Sequence, residues 1–162
     1  MRIRPVEEAD WDGVLALLRD IVDDGETYAY PTGVEDSVLR GLWDEPAPGV
    51  TVVAVDDTGT LLGSAKSGPN RPGRGAHVAT ASFIVSPTAR RHGVGRALAE
   101  WVMAWARDAG FRAMQFNAVV ETNDSAVRLW QRLGFEVVGT VPEAFDSRRH
   151  GLVGLHVMHL FL

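Results

Sequence analysis

The chain has 162 residues, 46% hydrophobic and 23% charged, which is enough for one domain with a sizeable core. A net charge of −5 argues against a general nucleic-acid binder, which needs a basic face, and the absence of cysteine excludes disulfides, thiolate zinc sites and a cysteine nucleophile. No apolar run precedes the first strand or reaches membrane-spanning length, so a cytoplasmic protein with no membrane partner is expected.

Residues 3–6 read as a short strand. Residues 8–22 carry Trp11, Val14, Leu15, Leu18 and Val22 at helical spacing, which predicts an amphipathic helix. The stretch 23–31 is too polar and turn-rich to continue it, and a second helix is predicted over 34–43. Residues 50–55 and 61–67 form a hairpin around Asp56-Asp-Thr-Gly59. A Gly/Pro/Arg loop over 69–75 leads into a strand at 77–85. Residues 94–109 form a strong helix with Val94, Leu98, Trp101, Val102 and Trp105 on one face, stopped by Gly110. A strand at 113–120, a helix at 124–133 and strands at 135–141 and 152–160 complete the order β-α-α-β-β-β-α-β-α-β-β. No repeat or linker divides it, so residues 1–162 are one domain.

The segment from Phe83 to Leu98 carries the chemistry. A strand ends, a basic glycine-rich turn follows, and a long helix starts. A helix start presents unpaired N–H groups and a positive dipole end, where phosphate oxygens fit. Gly93 and Gly95 let the main chain approach a diphosphate closely, and Arg90, Arg91 and Arg96 add charge. A P-loop needs Gly-Lys-Ser/Thr, but Gly95 is followed by Arg96-Ala97. The dinucleotide fingerprint needs a third glycine where Leu98 stands. The pattern that remains is Arg90-Arg91-His92-Gly93-Val94-Gly95, an Arg-x-x-Gly-x-Gly turn between strand and helix.

In this turn the chain resembles the GNAT superfamily of N-acetyltransferases. A second segment, from Asn123 through Ala126, Leu129 and Trp130 to Gly134-Phe135, resembles the family's other cofactor segment. The resemblance covers nearly the whole chain and implies an α/β fold. Its central sheet is mixed, mostly antiparallel, of about seven strands, splayed between the fourth and fifth and flanked by four helices. It implies acetyl-CoA as co-substrate and no metal, with main-chain amides of Arg91 to Arg96, Ala97 included in the helix start, around the diphosphate. It also implies that Phe83, Ile84 and Val85 pair with the pantetheine arm, with Asn123, Ala126 and Trp130 beside it. A homodimer is expected on the same ground. His156 and His159 face opposite sides of their strand and cannot share a metal.

Acetyl transfer needs a neutral amine, a polarised carbonyl and a proton for the thiolate. The Val85 N–H is the candidate oxyanion donor. Many relatives take the thiolate proton from a tyrosine where this chain has Trp130, whose indole has no proton to give. The strand 77–85 also lacks the carboxylate that some relatives use as base, which leaves Glu26, Glu121, His77 or a water chain. Asn117, a polar amide in the strand 113–120, which is otherwise suited to burial, is expected to face the ligand. Residues 116–123 and 134–142 look like enzymes that acetylate proline analogues, with phosphinothricin-type acetyltransferases next. Tyr28, Tyr30, Thr80 and Phe145 complete the expected acceptor pocket. The reading is therefore acetyl transfer to the amine of an amino acid or analogue. The alternatives are acetylation of a protein or peptide, and acyl-CoA sensing without catalysis.

Overall fold

Val52 to Val55 is an unbroken apolar run, and the computed structural model, which describes residues 1–162, gives the reason: both faces of that strand are covered. The strands are β1 (Arg2–Pro5), β2 (Val50–Val55), β3 (Leu61–Pro69), β4 (Val78–Val85), β5 (Ala113–Val120), β6 (Glu136–Ser147) and β7 (Gly151–Phe161). They form one sheet in the order β1-β2-β3-β4-β5-β7-β6. The helices are α1 (Trp11–Asp24), α2 (Asp36–Trp43), α3 (Val94–Asp108) and α4 (Asp124–Arg132). Helices α1 and α2 cover one face, packing on Val53, Val55 and Ile84. Helices α3 and α4 cover the other, against Val52, Ala54, Ala65, Ala79 and Met114.

All neighbours in the sheet are antiparallel except β4 and β5. This parallel pair holds only at Val78–Ala113 and Ala79–Met114, after which the two strands part. On the far side β5 keeps its pairing to β7, but with an extra residue at 117–118 that breaks the register between Phe116 and Val119. Such bulges bend a strand and re-aim its side chains, and this one lies along the opening.

Three expectations need correction. The strand predicted to stop at 141 runs on to Ser147, because a bulge between Val141 and Phe145 absorbs Pro142 on an edge strand, where its missing N–H costs no ladder bond. The seat of α3 is filled by Ala99, Met103 and Ala106 beside Val94, Leu98 and Val102, while Trp101 and Trp105 pack half-buried at its flanks. The second helix starts at Asp36, two residues later than the apolar spacing suggested. No helix is long and apolar enough to cross a membrane.

Candidate active site

Where β4 leaves β5, its main chain is exposed along one edge. Ser86 N–H donates to the Leu62 carbonyl, which fixes the alternation: Thr80, Ser82 and Ile84 bond β3, while Ala81, Phe83 and Val85 direct N–H and C=O into the opening. Phe83 and Val85 thus stand on the free edge of β4. Ile84 does not, since its main chain faces β3 and its side chain, 1% exposed, lies in the core under α1 and α2.

After β4 the turn winds through a left-handed Arg91 (φ 66°) and a left-handed Gly93 (φ 79°). Only glycine adopts the second without strain. The first main-chain bond of α3 runs from Ala97 N–H to the Gly93 carbonyl, so the N–H groups of Val94, Gly95 and Arg96 precede the ladder and point out of the helix start. His92 N–H is already spent on the Ala89 carbonyl at 3.4 Å. Arg90, Arg91 and His92 are exposed, and Arg96 is exposed with its guanidinium on Glu100 at 2.8 Å. Gly95 sits between Val85 and Leu129, where a methyl would stand 3.6 Å from each, an ordinary contact. Packing therefore does not demand glycine there.

Helix α4 is capped by Asn123, whose side-chain oxygen accepts from Ala126 N–H at 3.2 Å and Ser125 Oγ at 3.0 Å. It delivers Trp130 between the parting strands. That ring lies 4.9 Å from Phe83 on β4 and 4.8 Å from Phe116 on β5, and Phe116 stacks on Phe135 at 4.3 Å. Trp130 is a buried wedge under the opening.

A cleft of about 380 Å³ crosses the sheet at this point. Its lining joins Phe83, Asn123, Ala126 and Trp130 from one face to Tyr28, Tyr30, Thr80, Ser82 and Asn117 from the other. The Tyr28 hydroxyl accepts from Phe83 N–H and donates to the Phe83 carbonyl, both at 2.8 Å. Burial pushes this phenol well above its ordinary value, so it stays protonated at neutral pH. Tyr28 stacks on Tyr30, with ring centres 5.1 Å apart. Asn117 donates to Asn70 Oδ1 at 2.6 Å and accepts from Gln115 at 2.9 Å, which ties the bulge to the end of β3.

A second hollow, of about 580 Å³, adjoins the cleft through Tyr28, Tyr30 and Phe145. Its rim is where Glu26 lies, and there the carboxylate is occupied: it accepts from Ser147 Oγ at 2.7 Å and Arg149 N–H at 3.0 Å. The Ser147 hydrogen bond, the largest influence, holds its carboxyl below the ordinary range against desolvation, which comes next, with help from Arg149 N–H and the nearby positive charges. Glu26 is thus a clamp between the segment after α1 and the β6–β7 turn, and a weak base. Glu121 accepts from Gly154 N–H, and His77 is exposed at the closed end of the strand pair. Sequence reading missed the carboxylate that does line the cleft, Glu45, and its partner Lys66, 3.1 Å away. Neither belongs to a motif; the only signal was a lysine in a strand otherwise made of small and apolar residues.

Residues 15–135 match the model of the acetyltransferase (GNAT) family. A GCN5-related N-acetyltransferase from Kribbella flavida superposes with TM-score 0.96 at 58% identity over 99% of this chain and 97% of that one. A phosphinothricin acetyltransferase from Sinorhizobium meliloti, solved with acetyl-CoA, superposes with TM-score 0.88 at 25% identity over 99% and 88%. The chain is 31% identical to an L-methionine sulfoximine/L-methionine sulfone acetyltransferase of Pseudomonas aeruginosa over 87% of its length and 83% of the relative. It is 38% identical to N-acetyltransferase aca1 of Schizosaccharomyces pombe over 65% of its length, and spans 50% of that relative. The family match covers most of the chain, and the chain belongs to the GNAT family of acetyltransferases.

Proposed function

We propose that the chain is an acetyl-CoA-dependent N-acetyltransferase whose acceptor is the amine of an amino acid or amino-acid analogue. The observation that carries this reading is a cleft through the sheet with a polar, tyrosine-lined face, bounded by the free edge of β4, which leads on to the open main-chain donors at the start of α3. The phosphinothricin and methionine sulfoximine enzymes among its relatives favour an acceptor of that size.

The residues present suit the co-substrate. The N–H groups of Val94, Gly95 and Arg96 offer donors for a diphosphate, Gly95 leaves the approach free of a side chain, and the arginines of the turn add charge. The free edge of β4 offers Phe83 and Val85 to an extended amide chain. Bound acetyl-CoA supplies the activated acetyl thioester. The protein's part is to hold it, to direct one N–H of the free β4 edge, Val85 or Phe83, at the carbonyl oxygen, and to bring the amine in from the tyrosine side. The Tyr28 oxygen already sits where an acyl oxygen would accept from Phe83 N–H, so it must yield that bond, and it remains at hand as a neutral donor. Trp130 contributes shape, and its indole N–H donates no proton to a thiolate.

An amine panel that follows free-thiol release tests this. Turnover is expected with small amino acids or their analogues. Activity confined to peptides or protein N-termini would defeat the acceptor assignment, and tight acetyl-CoA binding without turnover of any amine would point to a sensor.

A further inference from the structure

Among the residues that line the cleft only two are charged, Glu45 and Lys66, one of each sign. They come from different elements. Glu45 follows α2, with its N–H held by Thr51 Oγ1 at 2.9 Å, and Lys66 rises from β3 directly opposite Ser82 of β4. Their side chains are 21% and 20% exposed, so both have lost most of their water. Each nonetheless spends little of its capacity: Lys66 makes one bond of a possible three, to Glu45 Oε2 at 3.1 Å, and Glu45 makes no other side-chain bond. A half-buried pair of this kind contributes little net stability, because desolvation offsets the attraction.

The seat of Glu45 is cut to fit. A methyl on Gly49 would lie 2.4 Å from its Cγ, and one on Gly68 would lie 2.5 Å from its Oε1. Two absent side chains, one in the bend before β2 and one on β3, thus make room for the carboxylate, and Gly68 pairs with Thr80, another cleft residue. The charge of Glu45 also reaches Tyr30, whose phenol is raised first by burial and further by this carboxylate, with Ser82 acting the other way.

We propose that Glu45 and Lys66 are the specificity-determining pair that reads a free amino acid, Glu45 taking its ammonium and Lys66 its carboxylate. The inference rests on the proposed function and deepens it by naming the groups that read the zwitterion. Without acceptor the two charges satisfy each other. An amino acid that enters between them replaces one ion pair with two and leaves no charge unpaired, whereas a simple amine would strand Lys66 and a carboxylate without an amine would strand Glu45. The rest of the cleft wall is neutral, so nothing else there opposes or duplicates the reading.

The test compares amino acids of the panel with their primary amides, which keep the amine and side chain and lose the negative charge. The native chain should favour the acid in kcat/KM by about tenfold or more, the value of one charge-assisted contact. Lys66→Met should bring the acid-to-amide ratio to about one. A role in folding alone would depress both substrates together and leave the ratio unchanged. Glu45→Gln should raise KM for acid and amide alike. Calorimetry with the same acid–amide pairs in the presence of free coenzyme A gives a binding readout independent of chemistry. A native ratio near one, or a ratio that survives Lys66→Met, overturns the pair's role while leaving the acetyltransferase reading intact. Activity on peptides alone instead overturns the reading beneath it.

Discussion

The two walls of the cleft are made of different material. The wall proposed for acetyl-CoA is main chain: the free edge of β4, the turn from Arg90 to Gly93 and the first N–H groups of α3, all within one stretch of sequence. The wall proposed for the acceptor is side chain: Tyr28 and Tyr30 after α1, Glu45 after α2, Lys66 on β3, Asn117 on β5 and Phe145 on β6. The first needs only a strand end, a glycine and a helix start. The second exists only once five distant segments have been folded against one another. It follows that the cofactor wall should fail when its space is filled, and the acceptor wall when its bonds are cut.

The largest expected effect comes from filling that space. At Gly95 the neighbouring Val85 and Leu129 accept a methyl at 3.6 Å, so Gly95→Asp should fold. Its carboxylate would then stand among the N–H groups meant for the diphosphate. Like charges in a partly dry site repel strongly, and acetyl-CoA affinity should fall by more than about hundredfold with an unchanged circular dichroism spectrum. Gly95→Ala should fall far less. Calorimetric titration decides the matter, and equal affinity in the Asp variant would remove the turn from the cofactor site. Gly93 would be a poorer choice, because φ 79° strains any replacement whatever the ligand does.

This division also explains what could be read in advance. The turn from Arg90 to Gly95 and the Asn123 cap were legible because each depends on local pattern, the splayed pair followed only from the family resemblance, and, β6 apart, the residue pattern placed the strands and helices near their observed positions. Trp130 was legible as a residue but not as a wedge, since its contacts with Phe83 and Phe116 cross from one strand to another. Glu26 was an attractive base in sequence because the atoms that occupy it, Ser147 and Arg149, lie more than a hundred residues on. Glu45 was passed over for the converse reason. Its place in the cleft is set by the absence of side chains at Gly49, in the bend before β2, and at Gly68 on β3, and neither absence belongs to a motif that points to residue 45. The extension of β6 through Pro142 was hidden because proline normally ends a strand and is tolerated only at an edge or bulge, a fact of the sheet and not of the segment.

An intermediate effect is expected where the two walls meet, at Tyr28. Its hydroxyl supplies both main-chain groups of Phe83 with a partner when no ligand is there to do so. Tyr28→Phe should cost about 1 kcal/mol of stability in the free protein by leaving that N–H and carbonyl unpaired. Acetyl-CoA that pairs with the same groups would restore what was lost. The rise in melting temperature on adding acetyl-CoA should therefore be larger for Tyr28→Phe than for the native chain. An equal or smaller rise would mean that Phe83 does not face the cofactor and that the junction between the walls lies elsewhere on β4.

The smallest effect belongs to the clamp at the acceptor rim, and it has a direction in pH. Glu26 is held ionised by Ser147 and Arg149, so its carboxyl titrates below the ordinary 4.5. A group lowered in this way binds fewer protons folded than unfolded. Its stabilisation is complete above the unfolded value and disappears as the pH falls through the folded one. Asp10, Glu8 and Asp56 are lowered as well, by Arg4, Arg40 and Thr58, so acid destabilisation of the native chain is shared among four carboxylates. The difference between the melting curves of the native chain and Glu26→Gln isolates one of them. It should be constant from pH 8 to about 5 and shrink below that, because the neutral amide has no proton to gain. At neutral pH the same variant loosens the β6–β7 turn against the end of α1, where the side chain of Arg148 crosses Gly25 and donates to the Asp23 carbonyl at 2.6 Å. KM for the acceptor should rise while acetyl-CoA affinity stays as it was. A matched loss of both affinities would show that the two walls are one mechanical unit after all.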